Sequence, residues 1–303
     1  MVGVFSDKGV DLTKSINIAI ALILVYLVWG TSYLAIRVAV QEIPPFLFCS
    51  IRLLIAAPLM LAFAFWRGEK LPASRKEWLF ICGTAVIMQV FSSGFTAWGQ
   101  QWVPSGETAL IMSSSALWIA WFGSFGSAGD RVSKLTWASI LLGLAGLVLL
   151  MSFGLAEQEI PFYGYGAILI AAFCWSAGSM VLRRYTINTQ SIMTAALHIM
   201  VGAVLMGVIS YAFERPEEPQ WSSQSITALF YLAFFNSFLA YAAYYWLIHA
   251  TRPVILGTFA YVTPAIAIMC GVLLLGEVLS AEQLFGSALI LASVFLLVYF
   301  SRR

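Results

Sequence analysis

The chain has 303 residues, of which 61% are hydrophobic and 10% carry a charged side chain, and its formal net charge is +2. Soluble domains average about 45 to 50% apolar and about 25% charged residues, so this composition excludes a soluble globular protein. Ten membrane-spanning helices of about 20 residues each would use about 200 residues, which leaves only short connections. The composition therefore predicts an all-α integral membrane protein without a separate soluble domain.

Ten apolar runs of helical length follow one another along the chain, each bounded by charged residues, proline or glycine. Exposed strands are excluded because a bilayer leaves their unpaired backbone groups unsatisfied. We therefore predict ten transmembrane helices after a short cytoplasmic tail, residues 1–15. The predicted spans are residues 16–39, 44–65, 78–98, 105–125, 136–152, 163–182, 191–213, 225–248, 253–275 and 281–301.

The lysine and arginine residues predict how these spans are oriented, because short loops rich in these residues stay on the cytoplasmic side. Thirteen of the 16 basic residues fall in the alternate ends and loops that begin with the N-terminus, and Arg215 falls in the opposite set. Both termini are therefore predicted to be cytoplasmic. The thirteen residues are Lys8, Lys14, Arg67, Lys70, Arg75, Lys76, Arg131, Lys134, Arg183, Arg184, Arg252, Arg302 and Arg303.

Pairs of similar motifs recur at a nearly constant spacing, which indicates an internal duplication. The offsets are 146 residues for Trp29 and Trp175, 148 for Trp98 and Trp246, and 147 for Gly129 and Gly276. A duplicated unit of five spans must enter the membrane from opposite sides. Residues 16–152 and 153–303 are therefore predicted to be two inverted five-helix repeats. Inverted repeats are characteristic of secondary transporters, whose substrate site lies near the bilayer midplane between the repeats.

The order of the motifs resembles the EamA-type transporters of the drug/metabolite transporter superfamily. The resemblance covers nearly the whole chain, although each motif is weak alone. The motifs are Trp29-Gly30-Thr31-Ser32-Tyr33 with Arg37, Pro44-Pro45 followed by Arg52, Val103-Pro104-Ser105-Gly106, Trp175-Ser176-Ala177-Gly178-Ser179, Tyr261-Val262-Thr263-Pro264, and Gly276-Glu277 with Leu279-Ser280. The chain departs from the family pattern at Ala116, where a proline is usual, and at Asp130, where a glutamate is usual.

The resemblance implies a bacterial inner-membrane exporter of amino acids, other metabolites or drugs. We expect a secondary transporter that exports small metabolites, most of all aromatic and other neutral amino acids, by alternating access. Multidrug or other metabolite efflux, with or without proton coupling, is the alternative. The expected partners are a small-molecule substrate and the lipid bilayer, without nucleic acid. We expect a monomer, with a dimer left open, and no cofactor or metal.

Polar and aromatic side chains interrupt several spans and are candidates for the wall of a substrate cavity. Hydroxyl and amide groups are costly in lipid unless they have partners, so they should face the bundle interior. Aromatic faces can hold apolar groups or an ammonium group, although packing and interfacial anchoring are the alternatives. The cavity candidates are Trp29, Thr31, Ser32, Gln89, Trp98, Ser114, Trp118, Trp175, Ser179, His198, Asn236, Tyr241, Tyr244 and Tyr261.

Arg52 is a charged residue inside a predicted span. It lies eight residues after Pro44, about 12 Å along a helix. A charge at this depth needs a partner or an outlet to water. Either Arg52 extends to the outer surface near Glu42 or Glu107, as a structural ion pair, or it binds a carboxylate of the substrate.

Three further residues have individual roles in the prediction. His198 is the titratable group near mid-membrane that could change charge around neutral pH. It is interpreted as a hydrogen-bonded core residue, with proton antiport kept open. Pro264 and Gly257 are gating candidates, because proline removes a backbone hydrogen bond and can kink a helix.

An intramembrane enzyme and a channel are the competing classes of function. The chain has two histidines and no HExxH, GxSxG, GxGxxG or P-loop motif. This pattern argues against an enzyme. A carrier and a channel differ in that flux through a carrier saturates with substrate.

Overall fold

The computed structural model describes residues 12–123, 134–157, 160–185, 188–214, 219–251, 253–278 and 280–301. Within these ranges the chain is helical and contains no strand. The helices are α1 (Leu12–Val40), α2 (Pro45–Trp66), α3 (Arg75–Ala85, continued by Val86–Gly94 and Phe95–Gly99), α4 (Ser105–Ser113), α5 (Ser115–Gly123), α6 (Lys134–Glu157), α7 (Phe162–Arg184), α8 (Ser191–Phe213), α9 (Ser223–Tyr231, continued by Leu232–Ala240 and Tyr241–Ala250), α10 (Pro253–Leu256), α11 (Phe259–Cys270, continued by Gly271–Leu275) and α12 (Ala281–Ser301).

Six helices in the described part of the chain are long and apolar enough to cross a bilayer, namely α1, α2, α3, α7, α8 and α9. Shorter apolar helical stretches are Trp137–Leu150, Val262–Leu275 and Ala281–Leu296. Large apolar side chains such as Leu273, 73% exposed, point away from the protein, as expected of a lipid-facing surface. The chain is therefore an integral, multi-pass, all-helical membrane protein.

Helices α2 and α8 pack side by side and run in opposite directions. Glu214, just after α8, accepts hydrogen bonds from the backbone nitrogens of Phe46 and Leu47 at the start of α2, at 2.8 and 3.0 Å. Glu69, just after α2, accepts one from the backbone nitrogen of Met193 at the start of α8, at 2.7 Å. A carboxylate is favourable there because a helix N-terminus has unsatisfied N–H groups and a partial positive charge.

Two arginines make the same kind of bond in the two halves of the chain. Arg37 of α1 donates a hydrogen bond to the backbone oxygen of Gln100, just after α3. Arg183 of α7 donates one to the backbone oxygen of Ile248 in α9, at 2.5 Å. The donors are 146 residues apart and the acceptors 148 residues apart. The two bonds thus repeat the offsets of the duplicated sequence motifs.

Wide π-helical turns interrupt α3 over Val86–Gly94 and α9 over Leu232–Ala240. These segments start 146 residues apart and have the same length of nine residues. A π-helix is rare and is frequently found at functional sites. The apolar periodicity of the sequence did not predict either segment.

Glycines allow the backbones of α6 and α12 to approach closely. A Cβ atom added to Gly146 would lie 2.9 Å from the backbone oxygen of Gly286, and one added to Gly286 would lie 3.0 Å from the backbone oxygen of Gly146. In α1, a Cβ atom on Gly30 would lie 2.6 Å from the Cβ atom of Ile266 in α11. Small residues at such contacts favour helix association in membranes.

The turn after α11 is hydrogen-bonded to the start of α4. Gly276 has a φ angle of 66°, which glycine adopts without the steric penalty of other residues. Glu277 then accepts hydrogen bonds from the backbone nitrogens of Ser105, at 2.8 Å, and Gly106, at 3.1 Å. The end of α11 is therefore held against the N-terminus of α4.

Candidate substrate cavity

A central cavity lies where helices α1 to α5 meet α7, α9 and α11. Its empty volume is about 560 Å³, including its open mouth. Aromatic rings, hydroxyl groups, one amide and one guanidinium group form its wall. The lining residues are Trp29, Ser32, Tyr33, Ile36, Arg52, Ser92, Ser93, Thr96, Met112, Ser115, Trp175, Asn236, Tyr241 and Phe259.

The cavity occupies the half of the bundle that holds the α1–α2 connection. Its α1 residues run from Trp29 to Ile36, towards the helix end at Val40. Arg52 lies near the start of α2, and Thr96 lies near the end of α3. The cavity therefore extends from mid-bundle towards this end of the protein.

Two tryptophans at equivalent positions of the two halves meet at the wall of this cavity. The ring centroids of Trp29 and Trp175 are 5.3 Å apart in an edge-to-face arrangement. Behind them, the ring of Tyr244 lies 4.8 Å from Trp29 and 5.0 Å from Trp175. The hydroxyl group of Tyr244 is hydrogen-bonded to that of Ser179 at 3.0 Å. Such aromatic contacts stabilise the packing and make this part of the wall apolar.

Arg52 brings a cationic group into this wall. The whole residue is 0% exposed, and its Nη2 atom donates a hydrogen bond to Oγ of Ser93 at 2.7 Å. Its guanidinium carbon lies 5.6 Å from the centre of the Phe48 ring. Its Nε and Nη1 atoms have no hydrogen-bond partner among the described residues. The guanidinium group is thus buried with only part of its donor capacity used.

The prediction that Arg52 extends to Glu42 or Glu107 is wrong, because the two glutamates bind other groups. Glu42 accepts a hydrogen bond from Oγ of Ser222 at 2.6 Å, and the bonds from Ser222 hold the pKa of its carboxyl group below the usual value. Glu107 accepts one from the hydroxyl group of Tyr165 at 2.5 Å. Neither carboxylate therefore neutralises Arg52.

Six residues predicted from the sequence line the cavity, namely Trp29, Ser32, Arg52, Trp175, Asn236 and Tyr241. Helical spacing could have identified others, because Tyr33 and Ile36 lie four and seven residues after Trp29 on α1. Several serines could also have been identified, because a hydroxyl group inside an apolar span is expected to face the bundle interior. The lining residues absent from the prediction are Tyr33, Ile36, Ser92, Ser93, Thr96, Met112, Ser115 and Phe259.

Several predicted cavity residues instead contact neighbouring helices. Thr31 is hydrogen-bonded to the hydroxyl group of Tyr231 on α9 at 2.5 Å. Trp98 packs on Trp102 with ring centroids 5.1 Å apart. Trp118 packs on the ring of a phenylalanine in α7, at 5.4 Å. These side chains lie on faces of their helices that do not border the cavity.

Other candidates in the described part of the chain also lie outside the lining. Gln89 is buried against Gly202 of α8. Ser114 is buried in the turn between α4 and α5. Gly257 lies in the turn between α10 and α11, and α11 continues through Pro264. The side chain of Tyr261 lies outside the described residues. Two further candidates, Ser179 and Tyr244, form the hydrogen-bonded pair behind the tryptophans.

His198 is a core residue with both ring nitrogens hydrogen-bonded. Its Nδ1 atom lies 2.6 Å from the hydroxyl oxygen of Tyr245, and its Nε2 atom lies 2.9 Å from Oγ1 of Thr84. The residue is 0% exposed and does not line the central cavity. Both of its partners are neutral hydroxyl groups. This environment is that of a structural histidine.

A second, polar cavity lies at the opposite end of the bundle. It is lined by residues from the end of α7, the start of α8 and the end of α9. Its empty volume is about 730 Å³, including open space. The antiparallel packing of α2 and α8 places it away from the central cavity. Tyr241 lines the central cavity and Tyr245 the second one, and their rings stack 6.1 Å apart. The residues that line the second cavity are Leu182, Arg183, Tyr185, Asn188, Thr189, Gln190, Ser191, Thr194, Tyr245, Ile248 and His249.

Known proteins resemble the chain in both sequence and fold. The model of the EamA-like transporter family matches twice, over residues 16–152 and 162–299. The Escherichia coli K12 protein named "Uncharacterized inner membrane transporter YedA" is 32% identical over 276 residues, which cover 91% of this chain and 89% of YedA. A chain in a solved crystal structure, 23% identical, has a TM-score of 0.69 and covers 94% of this chain and 98% of its own length. That structure shares the fold.

A further relative carries a name with a substrate class. The "Probable amino-acid metabolite efflux pump" of Salmonella typhimurium is 27% identical over 290 residues, which cover 91% of this chain and 93% of the pump. With YedA, it groups this multi-pass chain with bacterial inner-membrane transporters and not with enzymes. The two family matches span most of the sequence. The chain belongs to the EamA-like transporter family.

Proposed function

We propose that the protein exports small metabolites, foremost aromatic and other neutral amino acids, by alternating access at the central cavity. The observation that carries this proposal is a cavity shared by helices of both halves, with Trp29 and Trp175 in contact at its wall. An apolar aromatic wall with several hydroxyl groups suits a small amphipathic molecule. The name of the Salmonella relative supports amino acids as the substrate class.

The proposed architecture has ten transmembrane helices in two inverted repeats, residues 16–152 and 153–303, with both termini cytoplasmic. Its support comes from the antiparallel packing of α2 and α8 and from the paired bonds of Arg37 and Arg183. In this orientation the central cavity faces outwards, and the second cavity faces the cytoplasm.

In the proposed cycle, the aromatic layer between the two cavities is the barrier that substrate must pass. Tyr241 and Tyr245 border opposite cavities, and Tyr244 fills the space behind the tryptophans. Rocking of one repeat against the other would open this layer towards the cytoplasm and close the outer half. Gly257 and Pro264 would absorb part of this change, because α11 packs on α1 at the Gly30–Ile266 contact.

The proposed driving force is the substrate gradient. A proton-coupled exporter needs a group that gains and loses a proton during the cycle. His198 is held by Tyr245 and Thr84 away from the cavity, which supports a structural role for it. Proton antiport is the alternative that a pH profile of efflux would reveal.

Counterflow in proteoliposomes tests this function. Vesicles loaded with unlabelled phenylalanine or threonine should accumulate the labelled amino acid, and the rate should saturate with its concentration. Sugars and cationic dyes serve as the comparison substrates. Flux that does not saturate would indicate a pore, and accumulation of dyes without amino acids would indicate a multidrug carrier. Either result would contradict the proposal.

A matched pair of variants tests the site. Ser32→Phe places a ring inside the cavity, whereas Thr31→Phe changes the neighbouring residue on α1, which faces α9. Ser32→Phe should lower counterflow about tenfold or more, because it occupies the substrate volume. Thr31→Phe should leave most of the activity. Equal activity in the two variants, both correctly folded, would place the site elsewhere.

A further inference from the structure

The central cavity contains an uncompensated positive charge. Among the described residues that line it, Arg52 carries the sole formal charge. Its guanidinium group is fully buried on a membrane helix, where a charge is costly unless it is paired. Its hydrogen-bond partner, Ser93, is a neutral hydroxyl group. The wall therefore lacks the anion that would balance this cation.

The unused hydrogen-bonding groups of the wall have a definite pattern. The Nε and Nη1 atoms of Arg52 are donors without partners among the described residues. The hydroxyl group of Ser115, also buried and without a partner, can donate as well. The unpartnered acceptor in the wall is Oδ1 of Asn236. Buried polar groups in proteins are normally hydrogen-bonded, and a ligand that chiefly accepts hydrogen bonds would satisfy these donors.

The remainder of the wall determines what kind of anion fits. Trp29, Trp175, Phe259, Ile36 and Met112 surround the cavity with apolar and aromatic surface. A strongly hydrated anion such as inorganic phosphate would lose its hydration shell against these side chains. An organic carboxylate with an apolar or aromatic side chain matches both parts of the wall, because the guanidinium group pairs well with a carboxylate.

We infer that Arg52 binds the substrate carboxylate and that the cavity selects apolar or aromatic monocarboxylates, for which the carboxylate is essential and an ammonium group is secondary. This inference rests on the proposed transport function. It extends that function beyond α-amino acids to carboxylates that lack an amino group.

The charges of the lining residues determine whether the carboxylate or the ammonium group of a substrate contributes more to binding. A carboxylate neutralises Arg52, whereas an ammonium group adds a second positive charge to a cavity whose described lining has no acidic residue. An ammonium group would contact Oδ1 of Asn236 and the aromatic faces. These groups attract a cation more weakly than a carboxylate would. A cationic amine without a carboxylate should therefore be rejected.

Competition against labelled phenylalanine in counterflow tests this ranking with the unmodified protein. The inhibitors are 3-phenylpropionate, which lacks the ammonium group, and phenethylamine, which lacks the carboxylate. 3-Phenylpropionate should compete within about tenfold of unlabelled phenylalanine, and phenethylamine should compete more than tenfold less well. Competition by phenethylamine as strong as that by phenylalanine would overturn the inference.

Variants of Arg52 provide the second test. Arg52→Gln should raise the KM for phenylalanine and for 3-phenylpropionate about tenfold or more, because it removes the cation. Arg52→Lys keeps the charge but not the planar fork, so it should retain part of the affinity. If Arg52→Gln fails to fold, the competition series on the unmodified protein still decides the question.

The two proposals fail in different ways. The carboxylate inference would be overturned, and the exporter proposal left intact, by either of two results. One is saturable phenylalanine counterflow that is unchanged in folded Arg52→Gln. The other is counterflow that phenethylamine inhibits as strongly as unlabelled phenylalanine does. Absence of saturable counterflow for phenylalanine, threonine and 3-phenylpropionate in the unmodified protein would overturn both.

Discussion

Two buried ionisable groups lie on the packed helices α2 and α8, and their surroundings differ. His198 has a hydroxyl partner at each ring nitrogen, at 2.6 and 2.9 Å. Arg52 has one neutral partner at 2.7 Å and two nitrogen atoms without a partner among the described residues. A buried polar group that is fully hydrogen-bonded is explained by the fold alone. One that is not, and that borders a cavity, needs a further partner, which a ligand or an ordered water can supply.

The largest expected effect comes from supplying Arg52 with an internal anion. Ser93→Asp places a carboxylate at the position that already accepts a bond from Nη2. The internal ion pair should lower phenylalanine counterflow about tenfold or more, because it takes the place of the substrate carboxylate. Thermal unfolding in detergent should show a midpoint no lower than that of the unmodified protein.

Ser93→Ala is the matched control for this variant. It removes the neutral hydroxyl group that accepts the bond from Nη2 and leaves the charge of Arg52 available, so transport should change much less than in Ser93→Asp. Full activity in Ser93→Asp, with the protein folded, would mean that Arg52 does not meet the substrate.

A smaller effect, on stability, is expected at the fully bonded histidine. His198→Leu leaves the hydroxyl groups of Tyr245 and Thr84 without this partner, at a cost of about 1–3 kcal/mol for each group that stays unsatisfied. Thermal unfolding should show a lower midpoint. Counterflow per folded molecule, and its dependence on pH, should stay the same. Loss of the pH dependence would contradict the structural role of His198 and indicate proton coupling.

The smallest effect is expected at the two carboxylates that cap α2 and α8. Glu214→Gln and Glu69→Gln each keep an acceptor oxygen but remove the negative charge next to a helix N-terminus. Each should cost about 0.3–1 kcal/mol of stability, measured by thermal unfolding, and leave transport unchanged. Glu214 accepts two backbone bonds, whereas Glu69 accepts one and also pairs with Arg67 at 3.6 Å, so both losses should be small and of the same order. A strong loss of transport in only one of them would show that the cap has a second role.

The helical membrane fold could be predicted because a bilayer leaves few alternatives. The apolar composition places the chain in a bilayer, where backbone groups must be hydrogen-bonded within the protein. Only helices and closed barrels achieve this. The repeated offsets predicted equivalent residues such as Trp29 and Trp175, which meet at the cavity wall. The turn at Ser114 and the π-helical segments depend on tertiary packing, and apolar periodicity gives no signal for them.

The site was predicted less completely, because a sequence gives the depth of a residue along a helix better than the face on which it lies. Thr31 and Ser32 are neighbours in α1, yet Ser32 borders the cavity and Thr31 contacts Tyr231 of α9. Successive residues of a helix differ by about 100° in direction, so adjacent hydroxyl groups face different neighbours. Residues such as Ser92 and Ser93 follow a π-helical register that shifts this direction again.

The central claim is that one cavity is reached from each side of the membrane in turn. Its most direct test is labelling of Ser32→Cys, a cavity residue, with a membrane-impermeant thiol reagent in vesicles of defined orientation. The free cysteines Cys49, Cys82, Cys174 and Cys270 are first replaced by alanine. Ser32→Cys should be labelled from either side in separate experiments, and saturating phenylalanine should protect it. Labelling from one side alone under every substrate gradient, or labelling that phenylalanine does not reduce, would contradict the central claim.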